Sequence, residues 1–260
     1  MADLNKLSEQ YELVSNKTNA LHKMSEQLLA DQNKLSSIGD NIKQKLHYFT
    51  QVEHLSQRLN SPTMSVNSES FFIVLAKIDE CLEYMKTNSG FKESHTYLVK
   101  YRHLQSRAIS LIRSYVNHVL DHATEQVLTT NEEDSTDQEA METAYAVYFG
   151  KFQAAAPKLR MVISEVESRA ENNAEYASLL NELQREYCAR RWRVSGAGVG
   201  AALASAGATH AREHAALARA ATGLLAHACR DECALYAHMF RTPSPARESV
   251  YRTIEQKTLH

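Results

Sequence analysis

The segment RLNSPTMSVNSESFF, residues 58–72, interrupts a sequence that otherwise repeats apolar residues at helical spacing. The residue before a proline is steered away from helical backbone angles, and Ser and Asn side chains form hydrogen bonds with nearby backbone groups. The run from Asn60 to Thr63 is therefore predicted to end one helix, and Asn67 or Ser68 to cap the next. The segment predicts a joint between a long leading helix and the rest of the chain.

Upstream of this joint an apolar residue recurs every seven positions, which is typical of a coiled-coil helix. The ladder consists of Leu7, Val14, Leu21, Leu28, Leu35, Ile42 and Phe49. The companion seam position is polar in the middle of the helix, at Thr18, Ser25 and Gln32. Beyond the ladder the apolar phase shifts to Val52, Leu55 and Leu59, which would locally rewind a supercoil. As one helix, residues 3–59 would be roughly 85 Å long.

Such a helix cannot bury its apolar stripe within itself, so it needs a partner. The pattern fits a homodimeric coiled coil, a hairpin against the rest of the chain, or an assembly helix that joins other subunits. The half-polar seam favours the assembly helix, because polar seam residues fix register at a cost in stability. The seven ladder residues are then the predicted partner-binding residues.

Downstream of the joint, apolar residues at spacings of three and four predict further helices. One is expected at about Glu69 to Thr87, a second from Ser94 over about 34 residues, and a third from Ala140. Pro157 is suited to the first turn of another helix, and a helical pattern resumes at Glu175.

The composition also favours helices. Residues 197–237 contain 16 alanines, and alanine is the strongest helix former, so this stretch predicts a tightly packed pair of helices. The 260-residue chain has only 8 glycines and 4 prolines, which argues against strands joined by tight hairpins. The expected fold is all-α, with a long N-terminal coiled-coil helix followed by an extended α-helical bundle.

The chain is predicted to divide into a coiled-coil assembly helix (1–59), a linker (60–68), a helical hairpin (69–128), an acidic loop (129–139), an α-helical bundle region (140–245) and the C-terminal tail of a fragment (246–260). The window 114–150 around the acidic loop holds eight acidic residues and no Lys or Arg. A solvated loop between helices is the favoured interpretation, and an acidic docking segment for a basic partner is the alternative.

Charge and cysteine usage restrict the function classes. A formal net charge of −2 gives no overall attraction to nucleic acid, and any membrane contact would be local and peripheral. The four cysteines are scattered without a C-x-x-C pair, which favours a reducing compartment over a disulfide framework. The N-terminus lacks the apolar core of a signal peptide. The longest uncharged run, Val194 to Thr209, has 16 residues and is too short and too weakly apolar to span a bilayer.

Two short patterns could bind a metal. The sequence from His210 to His214, with Glu213 between them, matches the inverted zinc-protease motif H-x-x-E-H. A third ligand would have to come from Glu232, Glu248 or Glu255. A solvated helix face is the favoured interpretation of this five-residue match.

The second pattern is Cys229 with Cys233 on one helix face, within reach of His227 or His238. Buried free thiols are the favoured interpretation. No catalytic residue, cofactor or metal site is therefore predicted.

A basic cluster formed by Arg190, Arg191, Trp192 and Arg193 could stack on a base or bind a phosphate headgroup. The favoured interpretation is that its long side chains lie over a bundle surface with their charged ends in water.

Several stretches of this sequence resemble the third subunit of the conserved oligomeric Golgi complex. They are YFTQVEHLSQRLNSP (48–62), SVNSESF (65–71), LAKIDECLEYM (75–85), YLVKYRHLQSRAISLIRSYV (97–116), YASLLNELQREYCARR (176–191) and CRDECALYAHMFRTPSP (229–245). The resemblance runs from about residue 40 to about residue 245. The alanine-rich segment and the ending SVYRTIEQKTLH depart from the family pattern, and members of the family are longer than this chain.

The resemblance implies a non-enzymatic, peripheral subunit on the cytosolic face of Golgi membranes. Its complex would capture recycling intra-Golgi vesicles and support the retention of glycosylation enzymes. The implied partners are the other subunits of the tethering complex, with Golgi SNAREs, Rabs and golgins as further candidates. The alternative, from the residues alone, is a membrane-surface module built on amphipathic helices.

Overall fold

The computed structural model describes residues 2–130, 138–210, 212–245 and 248. Within these ranges the chain forms six helices and no strand. They are α1 (Ala2–Leu59), α2 (Glu69–Thr87), α3 (Ser94–Thr130), α4 (Gln138–Ala170), α5 (Ala174–Thr209) and α6 (His214–Met239). The predicted all-α class is confirmed.

The joint forms where the sequence predicts it. The first helix ends at Leu59, and the second begins at Glu69. Ser68 is its N-cap, because its hydroxyl accepts a hydrogen bond from the Phe71 amide at 3.3 Å. A capping hydroxyl satisfies one of the amide groups that the first helical turn leaves without a partner. Val66, between the two helices, is buried in the core, so the joint is packed against the bundle.

Helices α2 to α6 pack around one core, and α1 joins it mainly through α2 and α3. The fully buried centre combines aliphatic and aromatic side chains from all of α2, α3, α4 and α5. It includes Phe71, Ile78, Tyr101, Val116, Phe152, Leu159, Tyr176 and Leu183. The last turns of α1 supply Val52, Leu55 and Leu59 to the same core. The bundle therefore includes the end of α1 as well as the helices that follow the joint.

The expectation that Pro157 begins a separate helix is wrong. Pro157 lies inside α4, which runs without a break from Gln138 to Ala170. A proline in a helix interior removes one backbone hydrogen bond and tends to bend the helix. Phe152 before it and Leu159 after it are seven residues apart and both fully buried, so tertiary packing holds both halves in one helix.

The alanine-rich stretch forms a pair of helices, as its composition predicts. It occupies about the last third of α5 and most of α6, and these two helices contact each other. Helix α5 ends at Thr209, and α6 begins at His214. The same α5 also carries the basic cluster, so the two sequence features belong to one helix of 36 residues.

The expectation that the basic cluster lies over the bundle surface is wrong for Arg191. This side chain is only 2% exposed and forms a two-point ion pair with Glu232 of α6. Its Nε donates to Glu232 Oε2 at 3.0 Å, and its Nη2 donates to the other carboxylate oxygen. The guanidinium carbon also lies 4.5 Å from the centre of the Phe152 ring. Arg191 thus joins α5 to α6 and α4 from inside the core.

Arg190 likewise forms ion pairs. Its Nε donates to Asp121 of α3 at 2.7 Å, and its Nη1 donates to Glu186 of the same helix at 2.6 Å. The hydrogen bond from Arg190 lowers the pKa of the Asp121 carboxyl. Of the three arginines, Arg193 alone is exposed. The cluster is mainly a structural junction between helices.

Two predicted regions fall largely outside the described residues. Residues 131–137 of the acidic loop and all of the tail 246–260 except Glu248 belong to these parts of the chain. The described ends of the acidic region, residues 129–130 and 138–139, are helical. Within the described ranges, no helix contains a stretch long and apolar enough to cross a lipid bilayer.

We expect Glu232→Ala to lower the free energy of unfolding by about 3 to 5 kcal/mol, because it leaves the Arg191 guanidinium buried without its acid. The matched control is Glu83→Ala, which removes the same charge from the exposed pair with Lys86 and should cost less than about 1 kcal/mol. Urea denaturation followed by circular dichroism measures both. Equal midpoints for the two variants would contradict the buried pair.

Candidate assembly interface on helix α1

Apolar side chains are exposed on α1 far more than elsewhere in the described part of the chain. In the described part of the chain, eighteen large apolar side chains are exposed. Thirteen of them lie on α1, and the other five are Ile73, Phe91, Val99, Met161 and Leu224. On α1 their exposed fractions run from 48% at Ile38 to 76% at Tyr11. We call these thirteen side chains the α1 ridge: Leu4, Leu7, Tyr11, Leu13, Val14, Leu21, Met24, Leu28, Leu29, Leu35, Ile38, Ile42 and Leu46.

Six of the seven predicted partner-binding residues lie on the α1 ridge, namely Leu7, Val14, Leu21, Leu28, Leu35 and Ile42. The seventh, Phe49, is half-buried within the molecule. Its ring centre lies 5.1 Å from that of Tyr97 and 6.2 Å from that of Phe91, both edge to face. The structure therefore separates Phe49 from the other six, which the described part of the chain leaves exposed to water.

Four members of the ridge lie outside the heptad ladder and its companion position, namely Leu13, Met24, Leu29 and Ile38. Met24 and Ile38 each follow a ladder residue by three positions, so they lie beside the ladder on the same helix. In the neighbouring repeats that position is polar or charged. Leu4 and Tyr11 lie on the other side of the ladder, because they precede a ladder residue by three positions. The ladder is thus flanked by single apolar residues on either side.

The ladder also winds around the helix axis. A seven-residue repeat on a helix of 3.6 residues per turn drifts by about 20° per heptad. Between Leu7 and Ile42 the repeat occurs five times, so the ladder drifts by roughly 100°. A partner helix could follow it only by wrapping around α1 in a left-handed supercoil.

An aromatic cluster fixes the other end of α1 to the bundle, and we call it the Tyr48 anchor. The Tyr101 hydroxyl donates to the Tyr48 backbone carbonyl at 2.5 Å, and the Tyr48 ring stacks on Tyr84 with centres 3.8 Å apart. Burial raises the pKa of the Tyr101 hydroxyl, so it remains a protonated donor. Phe49 packs beside this group, and the buried turns up to Leu59 follow in the core. By packing, α1 therefore changes environment near Tyr48, before the predicted boundary at residue 59.

A polar cleft of about 620 Å³ lies between α2, α3 and the turn that joins α4 to α5. Its walls include Asp79, Lys86, Arg102, Arg169 and Glu175. Arg169 Nε donates to Asp79 at 2.9 Å, and Arg169 also forms an ion pair with Glu165. Burial raises the pKa of the Asp79 carboxyl, and the hydrogen bond from Arg169 opposes that rise. These ion pairs link α2 to α4 and give the cleft a structural role.

The zinc-protease motif does not lie on one helix. His210 is the C-cap of α5, Glu213 is the N-cap of α6, and His214 is the first residue of α6. The motif needs two imidazoles one helical turn apart on the same helix, and the interruption removes that geometry. The interpretation of the match as a solvated helix face is correct for solvent exposure, since Glu213 and His214 are exposed, but wrong in placing the match on one helix. Glu232, a candidate third ligand, is engaged by Arg191.

The thiol pattern on α6 is partly as predicted. Cys229 and Cys233 are half-buried, whereas Cys81 and Cys188 are fully buried. Among the described residues, no group of three or more His, Cys, Asp and Glu side chains is close enough to hold a metal ion.

Comparison with known proteins agrees with the sequence resemblance. The family model for "Conserved oligomeric Golgi complex subunit 3, N-terminal" matches residues 1–122. The model for the C-terminal part of the same subunit matches residues 145–259. The chain belongs to this subunit 3 family. The α1 ridge and the Tyr48 anchor both lie in the part matched by the N-terminal model.

Curated relatives named conserved oligomeric Golgi complex subunit 3 match most of this chain. The relative from Drosophila melanogaster is 42% identical over 248 residues, which is 94% of this chain and 27% of that protein. The relative from Aedes aegypti is 40% identical over 245 residues, with the same coverage of each. The human relative is 37% identical over 241 residues, covering 93% of this chain and 29% of its own length. This chain thus spans between a quarter and a third of the length of these relatives. No solved structure matches the chain.

We expect Phe49→Ala to loosen the Tyr48 anchor without unfolding the bundle. The side chain is half-buried, so its loss should cost about 1 kcal/mol locally. Amide hydrogen exchange should become faster around residues 46–53 and stay unchanged in α4 and α5. Leu35→Ala is the control on the same helix, because Leu35 lies on the exposed ridge. If both variants exchange alike near residue 49, the anchor is wrong.

Proposed function

We propose that this chain acts as part of a subunit of the conserved oligomeric Golgi complex and joins its sister subunits through the α1 ridge. The complex would work as a tether in intra-Golgi retrograde vesicle transport, and the chain would have a non-catalytic role in it. The observation that carries the proposal is the α1 ridge itself, thirteen large apolar side chains exposed along one helix. Family membership supports the identity of the complex.

Leaving the apolar side chains of the ridge in water is costly. Burying one Leu side chain is worth about 1.5 to 3 kcal/mol, and a contiguous exposed apolar surface usually marks an interaction site. The bundle leaves the ridge uncovered, because α1 packs against α2 and α3 only from the Tyr48 anchor onwards. The partner-binding residues are therefore proposed to be the six exposed ladder residues with the other members of the ridge. Phe49, the seventh predicted residue, would contact a partner only where the ridge meets the anchor.

The shape of the ridge favours helices as partners. Its winding of roughly 100° suits a helix that supercoils around α1. A helix lying flat on a bilayer presents its apolar side chains on one side of a straight axis. For this reason the membrane-surface module is the second candidate function, after the assembly helix.

The location follows from the same proposal. The complex would hold this chain at the cytosolic face of Golgi membranes as a peripheral component. Golgi SNAREs, Rabs and golgins are further candidate partners. The predicted domain limits at residues 59, 68, 128, 139 and 245 remain proposals, with the modification that the last turns of α1 pack in the bundle.

We expect Leu21→Ser with Leu28→Ser to abolish the co-purification of sister subunits, because two exposed ladder residues are lost from the middle of the ridge. The variants are made in the tagged chain, expressed in cells, and the sister subunits are identified by mass spectrometry. The control is Ile73→Ser with Met161→Ser, two comparably exposed apolar residues outside α1.

Three outcomes are informative. Loss in the ridge variant alone supports the proposal. Retention of sister subunits by the ridge variant would overturn it, and equal loss in the control would assign the effect to general exposure. A deletion for the same purpose should stop at residue 41, because deletion through residue 60 also removes Val52, Leu55 and Leu59 from the core.

A further inference from the structure

The charge of α3 is divided along its length. Residues 94–120 contain no Asp or Glu, although they contain Lys100, Arg102, Arg107 and Arg113. The reverse holds for the window 114–150, which holds acids and no Lys or Arg. A chain with a net charge of −2 therefore carries a locally basic segment on the first half of one long helix.

Most of these cations face water without an acid partner. Arg113 is paired with Glu182 of α5, with Nε and Oε1 2.8 Å apart. Lys100, Arg102 and Arg107 are exposed, as is Lys92 in the turn before α3. None of these four takes part in an ion pair within the described part of the chain. The Nζ of Lys100 lies 4.7 Å from the centre of the Tyr97 ring, so this charge rests beside an aromatic face.

Exposed apolar side chains lie among these charges. Val99 is 52% exposed and immediately precedes Lys100, and Phe91 is 37% exposed and immediately precedes Lys92. Lys45 of α1 lies 6.0 Å from the centre of the Phe91 ring and adds a further cation beside this end of α3. We call the exposed side chains Lys92, His95, Val99, Lys100, Arg102, His103 and Arg107 the α3 basic face.

The neighbouring acids do not cancel this charge. Glu93 lies in the turn before α3, and Glu175 lines the same cleft as Arg102. Glu83 is paired with Lys86 on α2, and Glu182 is paired with Arg113. Of these acids, Glu93 and Glu175 have no described ion pair. They are outnumbered by the four cations of the α3 basic face that have none.

We propose that the α3 basic face binds the anionic surface of a phospholipid bilayer. Lys and Arg near a negatively charged leaflet are each attracted to it, and exposed apolar side chains between them can enter the headgroup region. The cations extend from the turn before α3 along the exposed side of that helix, which suits a broad charged surface better than one acidic peptide. This binding is separate from the proposed assembly through the α1 ridge, since it uses another helix.

The test is flotation of the full chain with vesicles. The probe vesicles contain phosphatidylcholine with about 30 mol% phosphatidylserine, and the reference vesicles contain phosphatidylcholine alone. We expect the chain to float with the first and not the second at about 0.1 M salt, and to be released near 1 M salt. Lys100→Glu with Arg107→Glu should reduce the floated fraction at least about fivefold.

The matched control is Lys151→Glu with Lys158→Glu, which makes the same change in net charge at two exposed lysines of α4. It should float like the unchanged chain, and circular dichroism verifies that both variants fold. Flotation with phosphatidylcholine alone that survives the α3 variant would mean that the α1 ridge enters the bilayer, and would overturn the assignment to α3. Equal loss in both variants, or no flotation with either vesicle, would also overturn it. So would binding of the α3 basic face to an acidic peptide such as polyglutamate but not to vesicles.

Discussion

The whole arrangement depends on where the apolar stripe of α1 can be covered from within the chain. At Tyr48 and beyond, α2 and α3 cover it, and the Tyr101 hydroxyl holds the Tyr48 carbonyl in place. Before that point, thirteen large apolar side chains remain in water. One continuous helix therefore belongs to the core at one end and presents an uncovered apolar surface at the other. Continuity of the helix is essential, because it transfers the orientation of the anchored end to the exposed end.

The bundle itself is held by apolar packing, with charges placed at the helix junctions. Arg191 pairs with Glu232 where α5, α6 and α4 meet, and Arg169 pairs with Asp79 between α4 and α2. A buried ion pair contributes little net stability while both partners are present, but removing one partner is costly. A shift in register would separate the charges, so we expect the buried Arg191–Glu232 pair to disfavour alternative registers of α5 and α6. The core supplies the stability, and this pair is expected to favour one packing.

Local sequence chemistry predicts the helices well and their packing poorly. The end of α1 at Leu59 and the cap at Ser68 follow from Pro62 and from a hydroxyl placed before an apolar run, both readable within a few residues. The burial of Arg191 has no such local signal, because its partner on α6 is 41 residues away in the sequence. Pro157 predicts a helix start that does not occur, because the buried residues on either side of it are held by other helices. Only tertiary contacts decide that Arg191 is buried and that α4 continues through Pro157.

The candidate interface is likewise predictable from local sequence only in part. The heptad ladder identifies six exposed residues directly, and the shift in apolar phase after Phe49 indicates that the stripe changes partner there. From the sequence, this shift in apolar phase predicts a rewound supercoil. In the structure, it instead directs the residues from Val52 to Leu59 towards α2 and α3. The hydrogen bond that fixes the change joins Tyr48 to Tyr101, 53 residues later. The apolar pattern of α1 shows that its buried face changes after Phe49. It does not show which aromatic side chains pack against that face.

The Tyr48 anchor makes the exposed part of α1 a lever. Residues 2–47 of this helix precede the anchor, and at about 1.5 Å per residue they form an arm of roughly 70 Å. A tilt of about 5° at the aromatic pivot would sweep the tip through roughly 6 Å, more than one turn of a helix is long. Modest repacking of Tyr84 or Phe91 would thus be magnified into a displacement that a distant binding partner could sense.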